Sequence, residues 1–185
     1  MTAAVIRAIF EYQISEDRRL WNEAIMPLPE GAFTLNTGYS WGTLQRECAH
    51  VVDVMHQSWQ RVHGIRDTTV AINSDDPTRE EIRAGWDIVE ARWARYMAAL
   101  DDRTVRREVD IIYRETAMRT PVWQTIFHYF NHNTLHRAEM RQMIAQLGGA
   151  AGTDVSFGAH CIGSAGRSLQ RRPSPRPSAP SINGS

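Results

Sequence analysis

Three histidines lie four residues apart in the second half of the chain, at His128, His132 and His136. A four-residue step in an α-helix turns the side chain by about 40°, so the three rings would form a ladder along one side of a helix. His132 and His136 share that side with Tyr129 and Met140, which predicts that it faces the core. A buried imidazole needs a hydrogen-bond partner or a metal ion, because an unpaired one costs on the order of 1–3 kcal/mol.

Metal binding is favoured for His132 and His136 over the alternative, which is a pair of hydrogen-bonded core histidines. Two imidazoles at positions i and i+4 of a helix can chelate one ion, as they do in zinc peptidases. Residues 133–135 are Asn-Thr-Leu, however, so the water-activating glutamate of the H-E-x-x-H motif is absent. A peptidase activity is therefore disfavoured.

A third ligand would have to come from another helix. The segment at residues 43–62 offers His50, His56 and His63. Its apolar residues, among them Cys48 and Met55, define a stripe, and His50 falls nearly opposite the centre of that stripe. Periodicity alone therefore does not choose the third ligand, and the helical wheel by itself puts His50 on the surface.

Four segments have the apolar spacing of three and four residues that is typical of amphipathic helices. They cover residues 3–26, 43–62, about 77–100 and 122–147. Thr43 is expected to cap the second helix. The pairs Asp76-Pro77 and Thr120-Pro121 are expected to begin the third and the fourth.

Two segments differ from this pattern. Residues 101–119 contain a short alternation of apolar and polar residues, which fits either a small β-hairpin or an irregular crossover. Residues 158–185 hold four arginines, no acidic residue and four of the eight prolines, a composition typical of disorder. The sequence therefore predicts an all-α protein, with a four-helix bundle over residues 1–157, one long crossover connection, and a disordered tail over residues 158–185.

The composition excludes several classes of function. The chain has 21 arginines, no lysine and 21 acidic residues, so no lysine can serve as a catalytic amine. Residues 1–157 carry 17 of the arginines against all 21 acidic residues, and no nucleic-acid partner is expected. Two cysteines are too few for a disulfide-stapled secreted protein. No apolar run reaches the roughly 20 residues of a membrane span and no signal peptide is evident, so we expect a cytoplasmic protein without membrane contact.

The stretch at residues 120–137, TPVWQTIFHYFNHNTLHR, is similar to the last-helix signature of the DinB/YfiT-like family. In that family an N-H-x-x-x-H-R core carries two metal-binding histidines. Residues 43–59 resemble the family's segment with the third ligand, and the resemblance covers roughly residues 5–157. It implies metal ligands at His50, His132 and His136. The family's H-H-R-G-Q is Leu-His-Arg-Ala-Glu at residues 135–139 here, and none of the changed positions is an implied ligand.

Side chains close to the implied ligands are candidates for orienting them through hydrogen bonds. These candidates are Asp53, His128, Arg137 and Glu139. For Asp53 and Arg137 the alternative is a solvated helix face. Cys48 is expected to be a small buried hydrophobic residue rather than a nucleophile.

Three imidazoles leave coordination positions open, which is typical of a catalytic rather than a structural site. Such ligands suit zinc, nickel, copper or iron, with manganese weaker in intrinsic affinity, and we expect zinc or nickel first. Relatives in the resembled family include thiol transferases and a mycothiol-dependent isomerase. The resemblance thus implies a metal-dependent transferase or hydrolase that activates a low-molecular-weight thiol or water towards a small-molecule substrate.

Two alternatives remain at this stage. In a non-catalytic metal-binding or stress-related protein, the three histidines would only hold two helices together. In a degenerate protein, the histidine nitrogens would lie too far apart to share an ion. A homodimer is compatible with such a bundle, but the sequence identifies no interface.

Overall fold

The computed structural model describes residues 1–65, 71–72, 74–113, 115–152 and 156–170. They divide into two units, which lie within residues 1–154 and 155–185 and are described separately. The first unit contains four long helices: α1 (Ala3–Leu20), α3 (Leu44–Val62), α4 (Arg79–Ala99) and α6 (Val122–Gln146). The predicted all-α four-helix bundle is confirmed.

The four long helices surround one apolar core. Both α1 and α3 pack against α4 and against α6, so the order around the bundle is α1, α6, α3, α4. Trp86 and Trp93 of α4 are buried at 1% and 0% exposure. Trp93 stacks on Tyr129 of α6 with 5.1 Å between ring centroids, and its indole N–H donates to the carbonyl of Met55 in α3. Trp93 therefore joins three of the four helices, because its ring contacts both α6 and α3.

The first helix continues past α1 as a single π-helical turn, Trp21–Ile25, before the chain reaches Pro27. The short helix α2 (Glu30–Phe33) follows, and a loop then leads to α3. Thr43 caps α3 as predicted, since its hydroxyl accepts a hydrogen bond from the backbone N–H of Arg46.

The start of α4 differs from the prediction. Thr78, rather than Asp76, is the capping residue, and it forms a capping box with Glu81. Asp76 instead accepts a hydrogen bond from the side chain of Gln45 in α3. The prediction was wrong because aspartate before proline is a strong signal for a helix start. Thr78 and Glu81, three residues apart, instead cap each other's backbone N–H groups at the start of α4.

A β-hairpin lies between α4 and α6, after the short helix α5 (Asp102–Arg106). Its strands are β1 (Glu108–Tyr113) and β2 (Thr116–Pro121), paired antiparallel with Glu108 opposite Pro121. The hairpin alternative for this segment is therefore the right one. The helix α6 begins at Val122 as predicted, but Thr120 belongs to β2, and Pro121 occupies the cap position without a side-chain hydrogen bond.

The second unit contains the helix α7 (Phe157–Gln170). The sequence predicted a disordered tail over residues 158–185, and the structure describes this region as far as Gln170, within α7. Residues 171–185 lie outside the described residues.

Candidate metal centre

The three implied metal ligands converge between α3 and α6. His50 belongs to α3, and His132 and His136 lie one turn apart on α6. The nearest ring nitrogens of all three lie within 4.8 Å of one another. The Nε2 atoms of His132 and His136 are 3.1 Å apart. Three imidazole nitrogens this close can share one metal ion.

Two carboxylates fix the orientation of His136. Its Nδ1 lies 2.5 Å from Oε1 of Glu47 and 2.8 Å from Oε2 of Glu139. A nitrogen facing carboxylates carries the proton, so Nδ1 donates to Glu47 and the lone pair of Nε2 points towards His132 and His50. Glu47 is fully buried, and the backbone N–H of Trp41 donates to its second oxygen. The arrangement therefore presents Nε2 of His136 in the form that binds a metal.

The loop before α3 covers one side of the cluster. The indole of Trp41 stacks on the ring of His50 with 4.2 Å between centroids. The loop reaches this position through a tight turn in which the Thr37 N–H donates to the carbonyl of Gly42. Gly42 has a φ of 85°, a conformation that glycine adopts without strain.

The other side of the cluster opens into a cavity of about 370 Å³. Side chains from the loop, α3, β1 and α6 line it: Trp41, His50, Val54, Gln57, Arg61, Tyr113, His128, His132 and His136. Among the described residues, no fourth histidine, cysteine or carboxylate joins the three-histidine group. A small molecule can therefore approach the point where the three nitrogens meet.

The surroundings favour the neutral form of the His50 and His132 imidazoles. Burial, together with the neighbouring His136, lowers the pKa of His50 to about 4. Burial and the adjacent imidazoles lower the pKa of His132 to about 3. Burial alone would raise the pKa of the Glu47 carboxyl, but its hydrogen bonds with His136 and Ser40 hold that pKa below the usual value. Neutral imidazoles beside an ionised carboxylate are the protonation states that metal binding requires.

Comparison with known proteins identifies the family. A sequence model of the DinB family matches residues 3–158. The chain belongs to the DinB family. A solved structure of a DinB-like protein from Bacillus cereus ATCC 10987 shares the fold, with a TM-score of 0.64 and 16% sequence identity over 82% of this chain and 97% of the other. No curated protein matches the sequence.

The four side chains of this DinB chain that were predicted to orient the histidines lie in different surroundings. Glu139 contacts His136, as described above, and the ring of His128 lies 5.8 Å from that of His132. Asp53 instead accepts hydrogen bonds from the backbone N–H groups of residues 71 and 72, so it anchors the end of a loop. Arg137 faces α1 and is fully buried, which excludes the solvated helix face considered for it. Only two of the four candidates thus adjoin the histidine cluster.

The sequence patterns did not indicate Glu47 or the cavity wall on α3. Glu47 lies within about 40° of Val51 around the helix, so an acidic residue at the edge of the apolar stripe was the available signal. The cavity-lining residues of α3 are His50, Val54, Gln57 and Arg61. They recur at steps of four and three residues and so form a second face of the helix, which explains why His50 falls opposite the core stripe.

Cys48 is buried at 1% exposure and burial raises the pKa of its thiol, as expected for a hydrophobic core residue rather than a nucleophile.

Within the part of the chain that the structure describes, no helix combines the length and apolar character that crossing a membrane requires.

Proposed function

We propose that this DinB protein holds a divalent transition metal on His50, His132 and His136 and is an enzyme that activates a low-molecular-weight thiol or water. The transfer of a thiol to a small electrophilic substrate is the form of the reaction that we favour. The observation that carries the proposal is the convergence of three imidazole nitrogens, within 4.8 Å of one another, at an open cavity. Zinc or nickel is the expected metal, with iron or manganese as alternatives.

The donor set fits such an ion. Two Nε2 lone pairs that face each other at 3.1 Å repel unless a proton or a cation lies between them. The carboxylates on the far side of His136 hold its proton on Nδ1 and increase the basicity of Nε2. A metal ion bound there supplies a positive charge that lowers the pKa of an attached thiol or water.

The remaining groups of the chain would position the reactants. The stacked indole of Trp41 holds the ring of His50 and covers one side of the cluster. His128 lines the cavity next to His132, where it can accept the proton that the nucleophile loses. Since Glu47 and Glu139 both contact Nδ1 of His136, the side of the cluster towards the cavity stays available to substrate. This open side favours catalysis over the purely structural alternative.

Metal analysis of the purified full-length protein tests the binding site. We expect about one zinc or nickel ion per chain, and loss of most of it in His132→Ala, because two imidazoles bind far more weakly than three. His63→Ala is the matched control, since His63 is an exposed histidine at the C-cap of α3, outside the cluster. Equal metal content in the wild type and His132→Ala would contradict the assignment.

Cobalt substitution tests whether the site accepts a thiol. We expect that adding cysteine or 2-mercaptoethanol to the cobalt-loaded protein produces the near-ultraviolet charge-transfer band of a sulfur ligand. A spectrum unchanged by either thiol, but altered by azide, would favour activation of water. A spectrum unchanged by all three would mean that the metal is closed to solvent, and the structural alternative would replace the enzyme.

The location in the cytoplasm and the absence of a nucleic-acid partner stay predictions from the sequence. The homodimer is likewise a prediction, which size-exclusion chromatography with light scattering can check.

A further inference from the structure

A second, largely apolar cavity of about 180 Å³ adjoins the one at the histidine cluster. It lies among α3, the hairpin and α6, and its apolar walls come from Ile111 and Met118. Arg61, Tyr113 and His128 line both cavities, so the two are continuous along these three residues. An apolar cavity of about 150 Å³ holds a benzene ring, and this one therefore has room for an aromatic ring or a short aliphatic chain.

Arg61 brings to the junction of the two cavities a positive charge that no described carboxylate neutralises. Its guanidinium donates to the side-chain oxygen of Gln57 at 3.3 Å, and among the described residues no carboxylate forms an ion pair with it. Its Nε is buried and has no hydrogen-bond partner in the described part of the chain. Burial lowers the pKa of Arg61 from its usual value, although a guanidinium stays charged in a protein. A half-buried cation without a counterion is costly unless a ligand supplies one.

Thr125 supplies a second unsatisfied donor in the same cavity. The residue is 5% exposed, and its hydroxyl has no hydrogen-bond partner among the described residues. Both Thr125 and Arg61 line the second cavity. Two buried donors without partners, in a space with room for a ligand, indicate an acceptor that comes from outside the chain.

We propose that this second cavity binds the carboxylate end of an organic acid with an apolar body, and that Arg61 is the residue that recognises the carboxylate. Within the proposed function, on which this inference rests, the organic acid is the electrophilic substrate whose other end reaches the histidine cluster. His50 and Arg61 lie on one face of α3, about three turns apart, so a molecule that lies along the helix can contact both regions.

A carboxylate fits the site better than a phosphate group does. One guanidinium matches the single charge and the two oxygens of a carboxylate. A phosphate carries close to two charges and three terminal oxygens, and the described walls of this cavity offer only one cation for it. The apolar walls also disfavour a small inorganic anion, which would leave most of the cavity without a contact.

Binding of 3-phenylpropanoate to the zinc-loaded full chain, compared with its neutral isostere 3-phenylpropanamide, tests the inference by calorimetry. We expect the acid to bind at least tenfold more tightly than the amide, and Arg61→Gln to abolish that difference because the charge-assisted hydrogen bonds are lost. Arg46→Gln is the matched control: it removes one charge from an exposed position of the same helix and should leave both affinities unchanged. Acetate should bind more weakly than 3-phenylpropanoate, since it leaves the apolar walls empty.

The same titrations on metal-free protein test whether the acid binds directly to the metal. The Arg61→Gln effect should persist there. Equal affinity for acid and amide, or no effect of Arg61→Gln in protein with its full metal content, would overturn this inference and leave the metal site intact. Full metal retention by His132→Ala would instead contradict the proposed function. If Arg61→Gln fails to fold, Thr125→Val takes its place, and it should weaken binding of the acid while its affinity for the amide is unchanged.

Discussion

At the scale of single residues, Glu47 orients His136, one of the three proposed metal ligands. It is fully buried, and its carboxylate fixes the tautomer of the imidazole from the side away from the cluster. Glu47→Gln keeps the size of the side chain but removes the negative charge. We therefore expect the affinity for zinc to fall by about 10- to 100-fold, as measured by competition with a chelator.

Glu139→Gln is the comparison for this effect. Glu139 also contacts Nδ1 of His136, but its side chain is 20% exposed and accepts a hydrogen bond from Ser40 as well. Water can replace it, and the loss of affinity should be smaller than for Glu47→Gln. A larger loss in Glu139→Gln would mean that Glu139 is the residue that sets the tautomer.

The sequence indicated the three clustered histidines more clearly than it indicated the residues around them, Glu47 and Arg61. The four-residue spacing identified His132 and His136, because spacing along one helix is a local property. His50 needed the family resemblance, since its face of α3 is polar and lines a cavity rather than the core. Glu47 and Arg61 depend on contacts with α6 and the hairpin, and a single sequence does not encode which surfaces meet.

At the scale of helices, a buried polar network sets how α6 is turned about its axis. Asn133 and Arg137 each follow a histidine of the cluster by one residue and so point about 100° away from the histidine ladder. Both donate to Asp17 of α1, with distances of 2.5 Å and 2.7 Å, and Arg137 also donates to Gln13. Because these hydrogen bonds hold one side of α6 against α1, the histidine ladder lies on the side of α6 that faces α3.

Asp17→Ala should therefore destabilise the protein strongly. It leaves the fully buried Arg137 without its carboxylate, a loss that typically costs about 3–5 kcal/mol of unfolding free energy. Urea unfolding followed by circular dichroism measures this cost. Glu11→Ala changes an exposed carboxylate of the same helix and should stay within about 0.5 kcal/mol of the wild type. Similar stability of the two variants would show that the network contributes little.

Apolar periodicity predicted the four helices well because the period is repeated over many turns. Single-residue signals were less reliable. Thr78 caps α4 where Asp76 was expected, and Thr120 lies in β2 rather than at the start of α6. The hairpin could not be separated from an irregular crossover, because a short alternation of apolar residues does not show that a partner strand is present.

At the scale of the whole molecule, the order of the helices is what creates the site. Since α1 and α3 lie diagonally across the bundle, as do α4 and α6, the connections after α1 and after α4 both cross it. The first carries Trp41 over His50, and the second carries the hairpin that walls the two cavities. The sequence predicted one long connection and four helices, but periodicity does not state which helices are neighbours.

The neutral histidines make the stability of the metal-free protein depend on pH. In the unfolded chain an imidazole takes up a proton near its ordinary pKa of 6.5, whereas burial in the fold lowers the pKa of His50 to about 4 and of His132 to about 3. Below pH 6.5 the unfolded state therefore binds more protons than the folded state. Stability should fall as the pH decreases from 6.5 towards 4, by at most about 1.4 kcal/mol per pH unit for each imidazole.

Urea unfolding in the presence of a chelator, at intervals between pH 7.5 and 5, measures this dependence. The decline should be shallower in His132→Asn, which has no proton to gain at that position, and unchanged in His63→Asn, which alters an exposed histidine. The pH range of the decline separates two molecular causes. Lost carboxylate interactions would reduce stability mainly below pH 5, whereas buried neutral imidazoles reduce it from pH 6.5 downwards. A flat profile between pH 6.5 and 5 would mean that the imidazoles are as hydrated in the folded protein as in the unfolded chain.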